Sequence, residues 1–159
     1  ARNLHGEGFD YLSDHERIGV ITEFCAFIVS CTDRLTFARL DTTGRETFIN
    51  ALALRIGDQI QDNLTDLAGA GNYHTPFVAL LNQRLADYAH LSFEDEPGFD
   101  FLRYLGAQVL TLMGETQTNR WVIDQVMSID GPEVFDKLTG AVANLFDTGQ
   151  TEPDNPAAC

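Results

Sequence analysis

Asp58, Asp62 and Asp66 recur at every fourth residue, a spacing that stacks three carboxylates along one helical ridge. Such a ridge suits oxygen ligation of a divalent cation or reception of a basic partner. A solvated helix face is the plainer account, and no metal is assigned to it. Arg84 falls at helical spacing among Phe77, Leu80, Leu81 and Tyr88, and Asn63 among Ile56, Ile60 and Leu67. A charge on an apolar face must snorkel, pair or line a cavity. Asp58, Asp62, Asp66 and Asp87 are the acids predicted to reach Arg84. The alternative is an interhelical pocket for an anion or carboxylate ligand, built around Arg84 and Asn63 with Tyr88 or Trp121 on its wall. Arg17 also falls on an apolar face.

Other constellations carry less. Asp87-x-x-His90 has the spacing of one half of a di-metal carboxylate site, but such sites need two pairs and further glutamates. His5, Glu7, Asp10, Asp14 and His15 gather near the start of the chain, where adventitious surface metal binding is the limit of the expectation. Gly-x-Ser-x-Gly, Cys-x-x-Cys, His-Glu-x-x-His and a phosphate-binding glycine loop are all missing, so no catalytic residue or cofactor is assigned. Asn63-Leu64-Thr65 matches a glycosylation acceptor, discounted because Asn63 is expected to face inward. Arg120 and Asp124 are expected to pair along one helix, with Trp121 beside them as a core anchor or part of a binding surface. Leu54 lies opposite the apolar stripe of its helix.

Composition bounds the function classes. There are 24 acids and 10 bases, a formal net charge of −14. That surface repels phosphate backbones and anionic lipid, which argues against nucleic acid and membrane partners and favours basic proteins. Nine of the ten bases are Arg, the exception being Lys137. Cys25, Cys31 and Cys159 form no metal-site spacing, and the first two read as buried free thiols. The longest apolar run, Phe24 to Val29, is far short of a membrane span. The polar opening residues lack the apolar core of a secretory signal, so a cytoplasmic location is expected.

The elements that must position these residues are helices. Six stretches carry apolar residues at helical spacing, and none alternates as a strand does. After an irregular arm over 1–12, with Leu4, Phe9, Tyr11 and Leu12 as anchors, Ser13 or Asp14 starts a helix, and Ser13 with Glu16 three residues on resembles a capping box. The helix they open, to about Leu35, is apolar around most of its circumference, with Glu23, Ala26, Ser30 and Asp33 as its narrow strip of polar or small residues. That pattern predicts a central helix near residues 14–35. Asp41, Thr42 and Thr43 cap a second helix that Gly69 ends. Thr75-Pro76 opens a third, followed by the acidic loop Glu94-Asp95-Glu96-Pro97-Gly98. A fourth covers Phe99 to Met113. A fifth, Thr118 to Ser128, is predicted to break at Asp130-Gly131-Pro132 before a sixth to Phe146. Residues 148–159 read as a Pro-containing tail.

The fold class predicted is a compact all-α bundle of five or six helices in one helical domain over 1–147. The function expected is interaction with a basic protein, as an adaptor or inhibitor, through Asp58, Asp62, Asp66, Glu94, Asp95, Glu96 and Asp100 converging on one exposed face. The alternatives are a small-molecule-binding or enzymatic domain using the Arg84–Asn63 pocket, and a homo-oligomeric structural subunit.

Overall fold

The computed structural model describes residues 13–114, 116 and 119–147. The arm over 1–12 with His5, Glu7 and Asp10, and the tail with Cys159, lie outside them. Among the described residues the protein is all-α, and its one β feature is an isolated bridge between Phe93 and Pro97.

Helix α1 spans Asp14–Thr36, and Ser13 is its N-cap: the Ser13 hydroxyl accepts the Glu16 N–H at 3.3 Å. Helix α2 spans Thr42–Ala68, opened by Asp41, whose carboxylate accepts the Gly44 N–H at 2.7 Å. Gly69 closes it at φ 88°, a left-handed conformation that favours glycine. Helix α3, His74–Tyr88, begins one residue before the predicted Thr75. Its first N–H groups are taken by two side chains: Asn72 Oδ1 accepts from Thr75 at 3.2 Å, and the more distant Gln61 Oε1 accepts from both Tyr73 and His74. Helix α4 spans Phe99–Met113 as predicted.

The predicted break at Gly131-Pro132 does not occur. A 3-10 turn at Asn119–Trp121 leads into the short α5, Val122–Gln125, then a π turn at Val126–Asp130 and helix α6, Gly131–Asp147. Proline has no N–H to donate, and its ring crowds the carbonyl four residues earlier. The π turn accommodates it, with the Gly131 N–H bonding to the Val126 carbonyl five residues back.

Helix α1 is central. It packs against α2, α3, α4 and α6 and feeds two apolar clusters. On one side Val20, Phe27 and Cys31 meet Tyr88, Phe101, Leu105, Val109 and Met113. On the other, Ala26 and Val29 meet Ile49, Ile60, Phe77 and Leu81. Helices α2 and α3 run antiparallel, because Phe77 lies beside Gly57 near the start of α3 while Leu85 and Ile49 border one cavity near its end. Several residues predicted to face inward are instead exposed: Ile21, Leu67, Ile129 and Leu145. No described helix is long and apolar enough to cross a membrane.

Candidate functional site

Arg84 is buried, and its partner is Glu23 on α1. Arg84 Nε and a terminal nitrogen donate to the two Glu23 carboxylate oxygens, each at 2.7 Å, the forked geometry in which a guanidinium holds a carboxylate most strongly. The same terminal nitrogen donates to Gln108 Oε1 at 2.9 Å. Asp87 stands farther off, 3.8 Å from the other terminal nitrogen, and accepts from the Tyr104 hydroxyl. The Tyr104 ring lies 5.8 Å from the guanidinium carbon. The hydrogen bond to Glu23 pushes the Arg84 pKa up, outweighing the opposite effect of burial. Burial, followed by the bond to Asp87, pushes the Tyr104 phenol up to about 12. Of the four acids predicted for Arg84, Asp87 alone approaches it.

The predicted pocket around Arg84 and Asn63 is not assembled. Arg84 is closed over by Glu23, and Asn63 is exposed on α2, where the reason for discounting its glycosylation pattern fails. Tyr88 is core rather than pocket wall: it is 1% exposed, stacks on Phe101 at 4.3 Å, and its hydroxyl has no hydrogen-bond partner among the described residues. Burial pushes its pKa up. Trp121 is exposed, and Arg120 lies 5.0 Å over its ring, with no ion pair to Asp124 among the described residues. Arg17 is exposed at the rim described below.

Nor do the seven acids converge. Asp58, Asp62 and Asp66 are exposed on the face of α2 opposite Ile60 and Leu64. Asp58 is 4.0 Å from His74, at the start of α3. Glu94, Asp95, Glu96 and Asp100 follow the other end of α3, which is about 22 Å long. Asp100 has a local structural role, accepting from the Ser92 N–H and hydroxyl and from the Phe101 N–H. Those bonds, that of the Ser92 N–H foremost, hold its carboxyl below the usual range. No group of three or more metal-ligating side chains occurs among the described residues. Cys25 is half-buried and Cys31 buried, and desolvation pushes the Cys25 thiol up to about 11 and Cys31 further.

A capacious cleft lies elsewhere among the described residues. The first turns of α1, the last turns of α2 and the start of α3 enclose an open cleft of about 560 Å³. Ile18, Ile60, Leu64, Leu67, Phe77 and Leu80 supply most of its wall. Its polar members are largely satisfied inside the protein. The Thr22 hydroxyl donates to the Ile18 and Gly19 carbonyls at 3.0 and 2.7 Å, and the Tyr73 hydroxyl donates to the Gly69 carbonyl at 3.0 Å. His15 is exposed at its mouth. A smaller lobe of about 190 Å³ shares five of these residues and adds Arg17, Ile21 and Asn63.

Sequence reasoning missed both Glu23 and the cleft. Glu23 interrupts a helix that is apolar nearly all round, so its strip also had to meet protein. The signal for the cleft was the continuation of the α2 stripe through Leu64 and Leu67, which lies opposite the first turns of α1. No protein-family model matches the chain, and comparison with curated proteins and with solved structures returns no match either.

Proposed function

We propose that the protein binds an apolar small molecule in the cleft between α1, α2 and α3. The observation that carries this reading is the 560 Å³ cavity, whose volume falls within the range of ligand pockets. Its wall rewards apolar surface, since Thr22 and Tyr73 already spend their hydroxyl protons on backbone carbonyls. The reading is one of binding, with selectivity set by shape.

Titration with decanol, a long-chain alcohol, tests it. Saturable binding by calorimetry is expected, together with a higher thermal midpoint. At free ligand 100 times Kd the added stability is about 2.7 kcal/mol. Leu64→Trp fills the cleft and is expected to remove the binding while the fold persists. An unmoved midpoint, or a Leu64→Trp variant that binds as tightly as the parent, would sink the proposal.

A second reading, docking of a basic protein on Asp58, Asp62 and Asp66, is supported by the exposure of all three on one ridge of α2. This ridge faces away from the cleft, so the two readings do not compete for surface. Binding of a lysine-rich peptide is expected to weaken steeply with added salt and with Asp→Asn changes at the three positions. A complex indifferent to salt would remove the electrostatic basis.

A further inference from the structure

At the end of the α1–α2–α3 layer remote from the cleft, the same three helices enclose a second cavity of about 370 Å³. Two guanidinium groups from different helices line it, Arg34 from the last turn of α1 and Arg45 from the first turn of α2. One terminal nitrogen of Arg34 donates to the carbonyls of Tyr88 and Ala89 at 3.2 and 2.8 Å. Those carbonyls close the negative end of α3, so the guanidinium is anchored there by backbone. Its other nitrogens have no hydrogen-bond partner among the described residues. Arg45 Nε stands 3.5 Å from Asp33 Oδ1, longer than a charge-assisted hydrogen bond. The Arg45 guanidinium lies 4.8 Å over the Phe37 ring, and its terminal nitrogens are also without a hydrogen-bond partner among the described residues.

Two cations against one carboxylate make this cavity locally positive on a chain of net charge −14. Part of the remaining lining is apolar: Ile49 and Leu85 line the cavity, and Phe37, 67% exposed, stands at its edge, while the Ser30 hydroxyl, also on the wall, donates to the Ala26 carbonyl. Both arginines are positioned by contacts that a ligand need not supply, which reduces the ordering required on binding. Guanidinium forks match the oxygens of carboxylate and phosphate, and the apolar wall suits a ring. We infer that this cavity binds a small aromatic oxyanion, an aryl phosphate or aryl carboxylate, through Arg34 and Arg45. The inference is independent of what occupies the apolar cleft.

Amide shift mapping on the full ¹⁵N-labelled chain tests it, with phenyl phosphate, benzoate and inorganic phosphate as probes. Saturable shifts are expected for phenyl phosphate or benzoate, centred on residues 30–49 and 85–89. Whichever binds more tightly identifies the oxyanion. Arg45→Gln is expected to weaken that binding by about tenfold or more, the scale of one hydrogen bond to a charged group. Asp33→Asn removes the competing carboxylate and is expected to strengthen it. No saturable response to either aromatic probe, shifts centred on the cleft, or unchanged affinity in Arg45→Gln would overturn the inference. Inorganic phosphate binding as tightly as phenyl phosphate overturns the aromatic assignment. Should Arg45→Gln not fold, unchanged or weaker binding in Asp33→Asn overturns the proposal by itself.

Discussion

Glu23→Ala is expected to destabilise the protein by about 3–5 kcal/mol, because it leaves the Arg84 guanidinium buried without its forked partner. The magnitude follows from burial. Side-chain exposures are 10% for Arg84 and 3% for Glu23, so water cannot replace the lost carboxylate. Asp87 does not substitute, since it stands 3.8 Å away and is 40% exposed. Asp87→Ala is accordingly expected to cost under about 1 kcal/mol. The double variant Glu23→Leu with Arg84→Met is expected to recover most of the loss, because it removes both charges and leaves apolar volume behind. Urea unfolding measures all three as shifts in midpoint at constant slope. A Glu23→Ala loss below about 1 kcal/mol would mean that Arg84 reaches solvent, contrary to its burial. If the double variant stays as weak as the single, the pair contributes packing shape that Leu and Met do not restore.

Phe101→Ala is expected to cost a comparable amount, about 3–5 kcal/mol, for a different reason. Phe101 is fully buried where three other aromatic rings meet it. Tyr88 stacks on it at 4.3 Å, while Phe93 and Phe27 present edges at 5.5 and 5.8 Å. Truncation loses the transfer energy of the ring and leaves a cavity that α1, α3 and α4 cannot collapse without moving one another. Phe101→Leu is expected to lose less, since it refills part of that space. Thermal and urea unfolding measure both. The cleft lies against the second apolar cluster, on the other side of α1. Decanol affinity is therefore expected to survive Phe101→Ala at temperatures where the variant remains folded, because the two sites share no contacts. A Phe101→Ala loss near zero would show the aromatic cluster to be slack, and a loss of decanol binding would show the two clusters to be coupled.

Helix existence was legible in the sequence because it depends on local terms. The side chains of Ser13 and Asp41 cap α1 and α2, and the backbone N–H groups of Gly69 and Gly114 end α2 and α4, all through hydrogen bonds within a few residues. The central place of α1 was legible too, since an apolar circumference has to be covered on every side. Burial of Cys31 follows from the same pattern, whereas Cys25, expected to be buried as well, is half-buried. The Pro132 junction was misjudged because proline excludes an ordinary helical turn, whereas a π turn is a rarer solution that composition does not announce.

Pairing and concavity belonged to tertiary structure alone. Arg84 was identifiable as a charge on an apolar face, yet its partner is 61 residues away in sequence, and Asp87, at helical spacing, makes the weaker contact. The acidic segments looked like one surface until the length of α3 separated them. Asn63 and Leu67 read as inward, but the first turns of α1 leave them at the rim of a cleft instead of covering them. Periodicity along one helix determines which side is apolar; what lies opposite that side depends on helix crossings that no single helix encodes. The sequence by itself determined the helices and the central one among them, while the packing of α1 against α2 and α3 decided which charges pair and where space for a ligand remains.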